Sequence, residues 1–403
     1  MAEWSLTNVS NLFKIKYGKL SENVYNSYNV LLGRIMKDYD FTGKQKLIPV
    51  PQSFSGGVGS GTLPTANYEN VEDAVLTAKK VYARVLIDRE SIKAASSDEG
   101  SFVRQTKHSV QKTVESYMRN CSRILLGDGT GALGTGDNST NLSGAGTVGN
   151  PYLVVISAAS WNEAHWEERD YINYASETTL LEVQAVDPDT KTISLVGTSA
   201  GLFALIGAPI PGIFYMQGSK DNDPMGLRGA LMGAIDPLYT VPLSRRWRAG
   251  ALHDAGGAGI TVDMMNSDML EIEKKCGKVP NLIAVSYTQF RKIINLLEDH
   301  KEYAIDPRTK DLKGKLSFKG VEFMSSQGSV PMFPERFVND DEVFYLNDSF
   351  IQSTHRPGFG WFDDDGTVFL RDANSDQYEA RYGGYYQTYI APVFHGLRYG
   401  LAT

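Results

Sequence analysis

Residues 102 to 136 read FVRQTKHSVQKTVESYMRNCSRILLGDGTGALGTG, and the fold turns on how this stretch is understood. In its first part Val103, Val110, Val114, Tyr117, Met118, Cys121 and Leu125 fall on one side of a 3.6-residue period. Ser96 and Glu99 have capping-box spacing just upstream, and Gly127 stands where a terminating glycine belongs. The spacing predicts a helix over 102–126, nearly 40 Å long at about 1.5 Å per residue. In the second part Gly129, Gly131 and Gly134 spell GxGxxG. A dinucleotide loop needs a strand leading in and a helix leading out, with free N–H groups aimed at a pyrophosphate. Here a helix leads in, and residues 137–151, DNSTNLSGAGTVGNP, have no apolar period. The glycines therefore predict a flexible connector, with no nucleotide or other cofactor bound.

The bulk composition narrows the function classes. A chain of 403 residues exceeds what one compact core usually holds, so two or more subdomains are expected. A formal net charge of −7 argues against a protein whose task is to grip nucleic acid through its phosphates. The two cysteines, Cys121 and Cys276, sit among apolar neighbours on predicted helices and read as reduced thiols. The first residues, MAEWSLTNVSNLFK, lack a basic start followed by an apolar core, so no secretory signal is expected. Between Lys191 and Lys220 there is no charged residue, and residues 200–216, AGLFALIGAPIPGIFYM, are almost wholly apolar. Gly201, Gly207, Pro209, Pro211 and Gly212 break that run. It predicts short buried strands, or a surface covered by another subunit, and no membrane span.

Further along the chain, the pattern alternates between strand and helix. Residues 1–18 read as an arm, and Val24, Tyr28, Leu31, Ile35 and Tyr39 as a helical stripe. KQKLIPV (44–50) is strand-like, SFSGGVGSGTLPTAN (53–67) is a glycine-rich tip, and KKVYARVLI (79–87) alternates cleanly. Together they predict an extended hairpin whose strands are 44–50 and 79–87. Such an arm cannot bury its own surface, so Val81, Val85 and Ile87 are expected to be covered by a neighbouring subunit. TLLEVQAV, the DPDT turn (187–190) and KTISLV form a predicted hairpin in a β-rich segment. After it come a helix carrying Val262, Met265, Met269, Ile272 and Cys276, a buried strand at 282–285, and a helix over 287–297. Alternating aromatic residues over 378–399 predict closing strands.

No catalytic constellation emerges. The six histidines are scattered, and no HExxH, GxSxG, Walker A or paired CxxC is present. Glu163, His165, Glu167, Glu168 and Asp170 resemble a metal cluster but fit a solvated polar face better. Asp363-Asp364-Asp365-Gly366 looks like a calcium turn, but Ala373 stands where the twelfth-position glutamate is needed. Arg245-Arg246-Trp247-Arg248 is a short basic and aromatic run, suited to ion pairs across a subunit boundary. No catalytic, cofactor-binding or metal-binding residue is assigned.

An arm, an unsupported hairpin, a long helix followed directly by LLGDGTG, a mixed segment and the ending RYGGYYQTYIAPVFHGLRYG come in a distinctive order. This order resembles the major capsid proteins of tailed double-stranded-DNA bacteriophages, with the Hong Kong 97-like α+β fold. The resemblance implies an N-terminal arm and helix over 1–43, an E-loop over 44–87, and a peripheral domain with its spine helix over 88–150. It further implies an axial domain over 226–340, containing GLRGALMGAIDP and VPNLIAVSYTQFRKIINL, and return strands over 341–403. Residues 151–225 depart from the pattern as an inserted β-rich module. The implied function is structural: pentamers and hexamers tiling an icosahedral shell around packaged DNA, assembled in the bacterial cytoplasm. Implied partners are further copies of the chain, a separate scaffolding protein and a portal, with DNA touched only weakly and no membrane. Expected assembly contacts are Phe54, Gly56, Gly57, Gly59 and Gly61 at the tip, Val81, Arg84, Val85 and Ile87 on the strand, and Arg245, Arg246 and Trp247. A tail-associated hydrolase is the alternative from another class; it would need a cleft with converging acidic or histidine side chains.

Overall fold

The computed structural model describes residues 30–41, 43–53, 58, 61, 70–88, 99–298, 321–356, 360–363, 367–371 and 376–403. Its longest element is the helix Glu99–Leu126, of 28 residues. Val110, Val114, Tyr117, Met118, Cys121 and Leu125 are all buried, so the apolar period seen in the sequence is the face turned to the core. Behind that face lies a six-stranded sheet built around the 14-residue strand Gln377–Ile390. One edge of this strand pairs with Lys79–Asp88. The other edge pairs in turn with Ile351–His355, Gly360–Trp361 and Phe369–Arg371.

This pairing corrects the expected hairpin. Its strands are Gln45–Ser53 and Asn70–Thr77, antiparallel, with Leu47 opposite Val75. Lys79–Asp88 does not return along 44–50; it leaves the hairpin and enters the sheet, with Val85 opposite Ala380. Local alternation shows that one face of a strand is covered, but it does not identify the covering element. A second correction concerns the first helical stripe, whose residues before Val30 lie outside the described region. Among the described residues of the stripe Val30–Arg34 is helical, and Met36–Asp38 is a strand paired in parallel with Ile351–His355. Pro49 and Pro51 have no N–H, and among the described residues the hairpin sheet has two strands. Prolines fit there because that strand's outer edge bonds to nothing in the sheet.

The chain leaves the long helix through Gly127 and enters a second six-stranded sheet. Its strand order is Ala132–Thr135, Ile213–Met216, Tyr171–Tyr174, Leu181–Asp187, Thr192–Val196, Tyr152–Val155. The two edges meet: Asp137 N–H donates to Val155 O at 2.8 Å, and Ser157 N–H to Thr135 O at 2.9 Å. The sheet thus closes into a small barrel, filled by Trp166, Ile172, Leu181, Val183, Ile193, Leu195 and Phe214. The hairpin Leu181–Asp187/Thr192–Val196 forms at the DPDT turn, where the Asp187 carboxylate accepts the Asp189 N–H at 3.1 Å and the Thr190 hydroxyl at 2.7 Å. The expected connector is therefore not one: ALGT within the glycine stretch is the barrel's first strand.

The third unit is another six-stranded sheet, ordered Ala251–Asp254, Gly396–Tyr399, Val343–Leu346, Leu282–Val285, Gly328–Pro334, Val321–Ser325. The helices Val262–Cys276 and Tyr287–Glu298 belong to the same unit. Thr261 caps the first of these by accepting the Met264 N–H at 3.2 Å, and Gly277 ends it in the left-handed conformation. All four residues of Leu282–Val285 are buried, as an apolar run at the centre of a covered sheet requires.

Candidate assembly surfaces

The hairpin is anchored to its own chain at the base. Val75 N–H donates to Tyr239 O at 2.8 Å, the Thr240 hydroxyl to Asp73 O at 3.2 Å, and Ser244 Oγ bonds Gln52 Oε1. Val50, Ala74 and Leu76 are buried against the central core. The opposite face carries Leu47 (58% exposed), Pro49, Pro51 and Val71 (44%) in open solvent.

The expected contact residues divide accordingly. Phe54, Gly56, Gly57 and Gly59 lie outside the described residues. Gly61 is exposed, with φ +103° and open space around it. Val81, Val85 and Ile87 are 6, 3 and 9% exposed, already covered by this chain. Val85 and Ile87 pack with Val110 of the long helix and with Val368, Phe369 and Ala380, so their assignment to a subunit boundary is corrected. Arg84 points outward and pairs with Glu379 at 2.5 Å. Burial alone would raise the Glu379 pKa, but hydrogen bonds from Arg84 and Arg381 outweigh it and hold the carboxyl below its usual value. Arg245 and Arg246 are exposed. Trp247 is 2% exposed; its indole N–H donates to Leu238 O at 3.3 Å, and its ring lies 6.1 Å from that of Tyr389. It is a core residue, and its place among the contacts is corrected too. The signal that sequence reasoning passed over was the hairpin's outer face, where Leu47 sits on the side opposite the buried Val50.

A cleft of about 470 Å³ lies where the barrel, the end of the long helix and the third sheet meet, and the glycine stretch lines it. Gly131 has φ +81°, and a Cβ there would stand 2.3 Å from Ser219 O. Glycine is required by close backbone packing, not by a phosphate. Asp128 accepts the Thr130 N–H at 2.9 Å and its hydroxyl at 2.6 Å, which puts a carboxylate inside the loop. Asp221, Asp223, Asp341 and Glu342 also line the cleft, whereas its guanidiniums, Arg123 and Arg228, are each paired with a carboxylate. Such a wall repels anions. His165, also lining it, donates from Nδ1 to Leu133 O at 2.9 Å in its neutral form. Burial pushes its pKa down to about 3, so it carries no charge near neutrality. The acidic cluster around it is dispersed, because Glu167 and Asp170 both pair with Arg119. Among the described residues no group of three or more metal-binding side chains occurs, and no helix is long and apolar enough to cross a membrane.

Set beside solved structures, the chain aligns over 93% of its length with 93% of the chain in a cyanophage A-1(L) capsid asymmetric unit, at a TM-score of 0.52 and 10% identity. The chain has the fold of a phage capsid subunit. Two looser likenesses are to Mycobacterium phage Adephagia (TM-score 0.45, 11% identity, 99% of this chain and 98% of that one) and to the capsid of a native GTA particle (0.44, 8%, 92% and 90%). The fold assignment rests on the first alone. No protein-family model matches the sequence, and no curated protein matches it.

Proposed function

We propose that the chain is a non-enzymatic major capsid protein. Many copies form pentamers and hexamers that tile an icosahedral shell around the double-stranded DNA of a tailed phage. The observation that carries this reading is the whole-chain agreement with a capsid subunit, joined to a hairpin with one apolar face anchored and the other open. Leu47, Pro49, Pro51 and Val71 then meet a neighbouring subunit, and the tip around Gly61 adapts its angle between pentamers and hexamers. Because Pro49 and Pro51 offer no N–H, that contact is made by side chains and not by strand addition. The acidic cleft suits neither DNA phosphates nor hydrolysis of a large anionic substrate. DNA is touched weakly, a separate scaffolding protein and a portal complete the shell, and assembly takes place in the host cytoplasm.

The test is direct. Purified subunits, concentrated alone or with a co-expressed scaffolding protein, are examined by electron microscopy and sedimentation. Closed shells of uniform size are expected; subunits that stay monomeric under every condition would overturn the reading.

A further inference from the structure

The barrel is asymmetric in charge. No charged residue occurs from 138 to 162 or from 192 to 219. These two stretches lie side by side: Leu142 N–H donates to Ala208 O at 2.9 Å, Gly207 N–H to Leu142 O at 2.9 Å, and Gly197 N–H to Gly146 O at 2.9 Å. They supply the adjacent strands Tyr152–Val155 and Thr192–Val196, and also Ile213–Met216 beyond Ala132–Thr135. The charged side chains of the barrel instead gather on Leu181–Asp187 and on the loops flanking Tyr171–Tyr174.

Among the described residues the neutral side keeps large apolar side chains exposed. Phe203 is 66% exposed, Val148 73%, Leu153 43% and Ile206 41%. Three of them are neighbours. Ile206 bridges to Leu142, and Leu153 bridges to the adjoining Ser143. Phe203 lies three residues before Ile206, at the end of the short helix Ala200–Ala204. A patch of large apolar side chains on stretches that carry no charged residue marks a docking face.

We propose that this face of the barrel binds the barrel of a second copy of the same chain. Charge decides the occupant. Each copy carries −7, so faces rich in charge repel their counterparts when copies approach. The neutral side is the one on which two such copies meet without burying or opposing like charges. A basic partner would be drawn instead to the acidic side chains of Leu181–Asp187 and of the loops flanking Tyr171–Tyr174. The proposal rests on the shell reading above and adds a second subunit contact, separate from the hairpin.

Hydroxyl-radical footprinting reads the contact. Free subunits are compared with shells assembled from this chain alone, and Phe203 and Leu153 are followed by mass spectrometry. Their labelling is expected to fall about tenfold in shells, while exposed Tyr287 of the third unit serves as an internal reference. A Phe203→Glu variant should keep the melting temperature of the free subunit and weaken association by at least about tenfold. Shells that form with Phe203 still fully labelled would overturn the barrel contact and leave the shell reading standing. Protection that appears only when another protein is added would overturn it as well, by assigning the face to that protein. Subunits that never assemble would sink both.

Discussion

Arg123 and Asp223 form an ion pair at 2.8 Å with both side chains less than a tenth exposed, joining the last turn of the long helix to the chain returning from the barrel. Arg123 also bonds Asn120 at 2.9 Å and Ser219 at 3.3 Å, so its donors are well used. One turn earlier on the same face, Arg119 pairs with Glu167 and Asp170, just before the barrel strand Tyr171–Tyr174. The two arginines fix how the barrel sits on the helix.

Asp223→Ala leaves the Arg123 guanidinium buried without its partner. Loss of one member of such a pair costs about 3–5 kcal/mol. Urea unfolding followed by tryptophan fluorescence should show that loss. The double change Arg123→Met with Asp223→Leu should recover most of it, since the remaining cost is packing. A single variant within about 0.5 kcal/mol of the parent would show that the pair does not position the barrel.

Acid should weaken the fold before carboxylates protonate. Burial pushes the pKa of His355 down to about 4 and that of His395 down to about 4. His355 bonds Ser353 at 2.9 Å, and the Asn347 N–H donates to His395 Nδ1 at 3.1 Å. With folded pKa values below the unfolded one near 6.5, the unfolded chain binds the extra protons between those limits. Stability is complete above pH 6.5 and falls as pH drops toward 4, by about 1.4 kcal/mol per pH unit for each histidine. Urea midpoints at pH 7.5, 6, 5 and 4.5 give the slope. A flat profile down to pH 5 would contradict the burial of both rings.

The glycine stretch makes a contrast between two positions. At Gly131 an added Cβ meets the Ser219 carbonyl at 2.3 Å in a backbone at φ +81°, whereas Gly61, at φ +103°, faces open space. Gly131→Ala therefore combines left-handed strain of about 1–2 kcal/mol with an overpacking cost of about 1–3 kcal/mol. Gly61→Ala pays only the strain. Melting temperatures of the two variants should differ by several degrees, Gly131→Ala being lower. Equal melting temperatures would mean that the loop yields freely at Ser219.

Much of this architecture was legible because local pattern suffices for local elements. The long helix, the helix Val262–Cys276 and the hairpin at Asp187 each follow from spacing, caps and turn residues within a single window. What was not legible depends on partners distant in sequence. Lys79–Asp88 looks the same whether it pairs with residues about 35 positions before it or, as it does, with Gln377–Ile390. Trp247 beside three arginines has the composition of an interface, yet Leu238, Tyr239 and Tyr389 enclose it. The barrel's closure was hidden because its first strand, ALGT, is short and glycine-flanked, without the alternation that marks longer strands.

That reassignment reverses which substitutions should injure assembly and which should injure the subunit. Val85 is 3% exposed against Val110, Phe369 and Ala380, so Val85→Asp buries a charge with no partner. The expected cost is about 3–5 kcal/mol or more, enough to unfold a marginally stable subunit before assembly begins. Leu47 and Val71 lie on the open face of the hairpin, with Leu47 opposite Val75 and Val71 opposite Pro51. Leu47→Asp and Val71→Asp should leave the melting temperature within about 2 °C of the parent, because both side chains are exposed among the described residues. In the shell each loses about 1.5–3 kcal/mol of burial per contact, repeated at every subunit boundary. Thermal melts of free subunits and electron microscopy of assembly mixtures separate the two classes. A stable Val85→Asp subunit that fails only in assembly would return that strand to the boundary. Normal shells from the Leu47→Asp, Val71→Asp double variant would remove the hairpin's outer face from it.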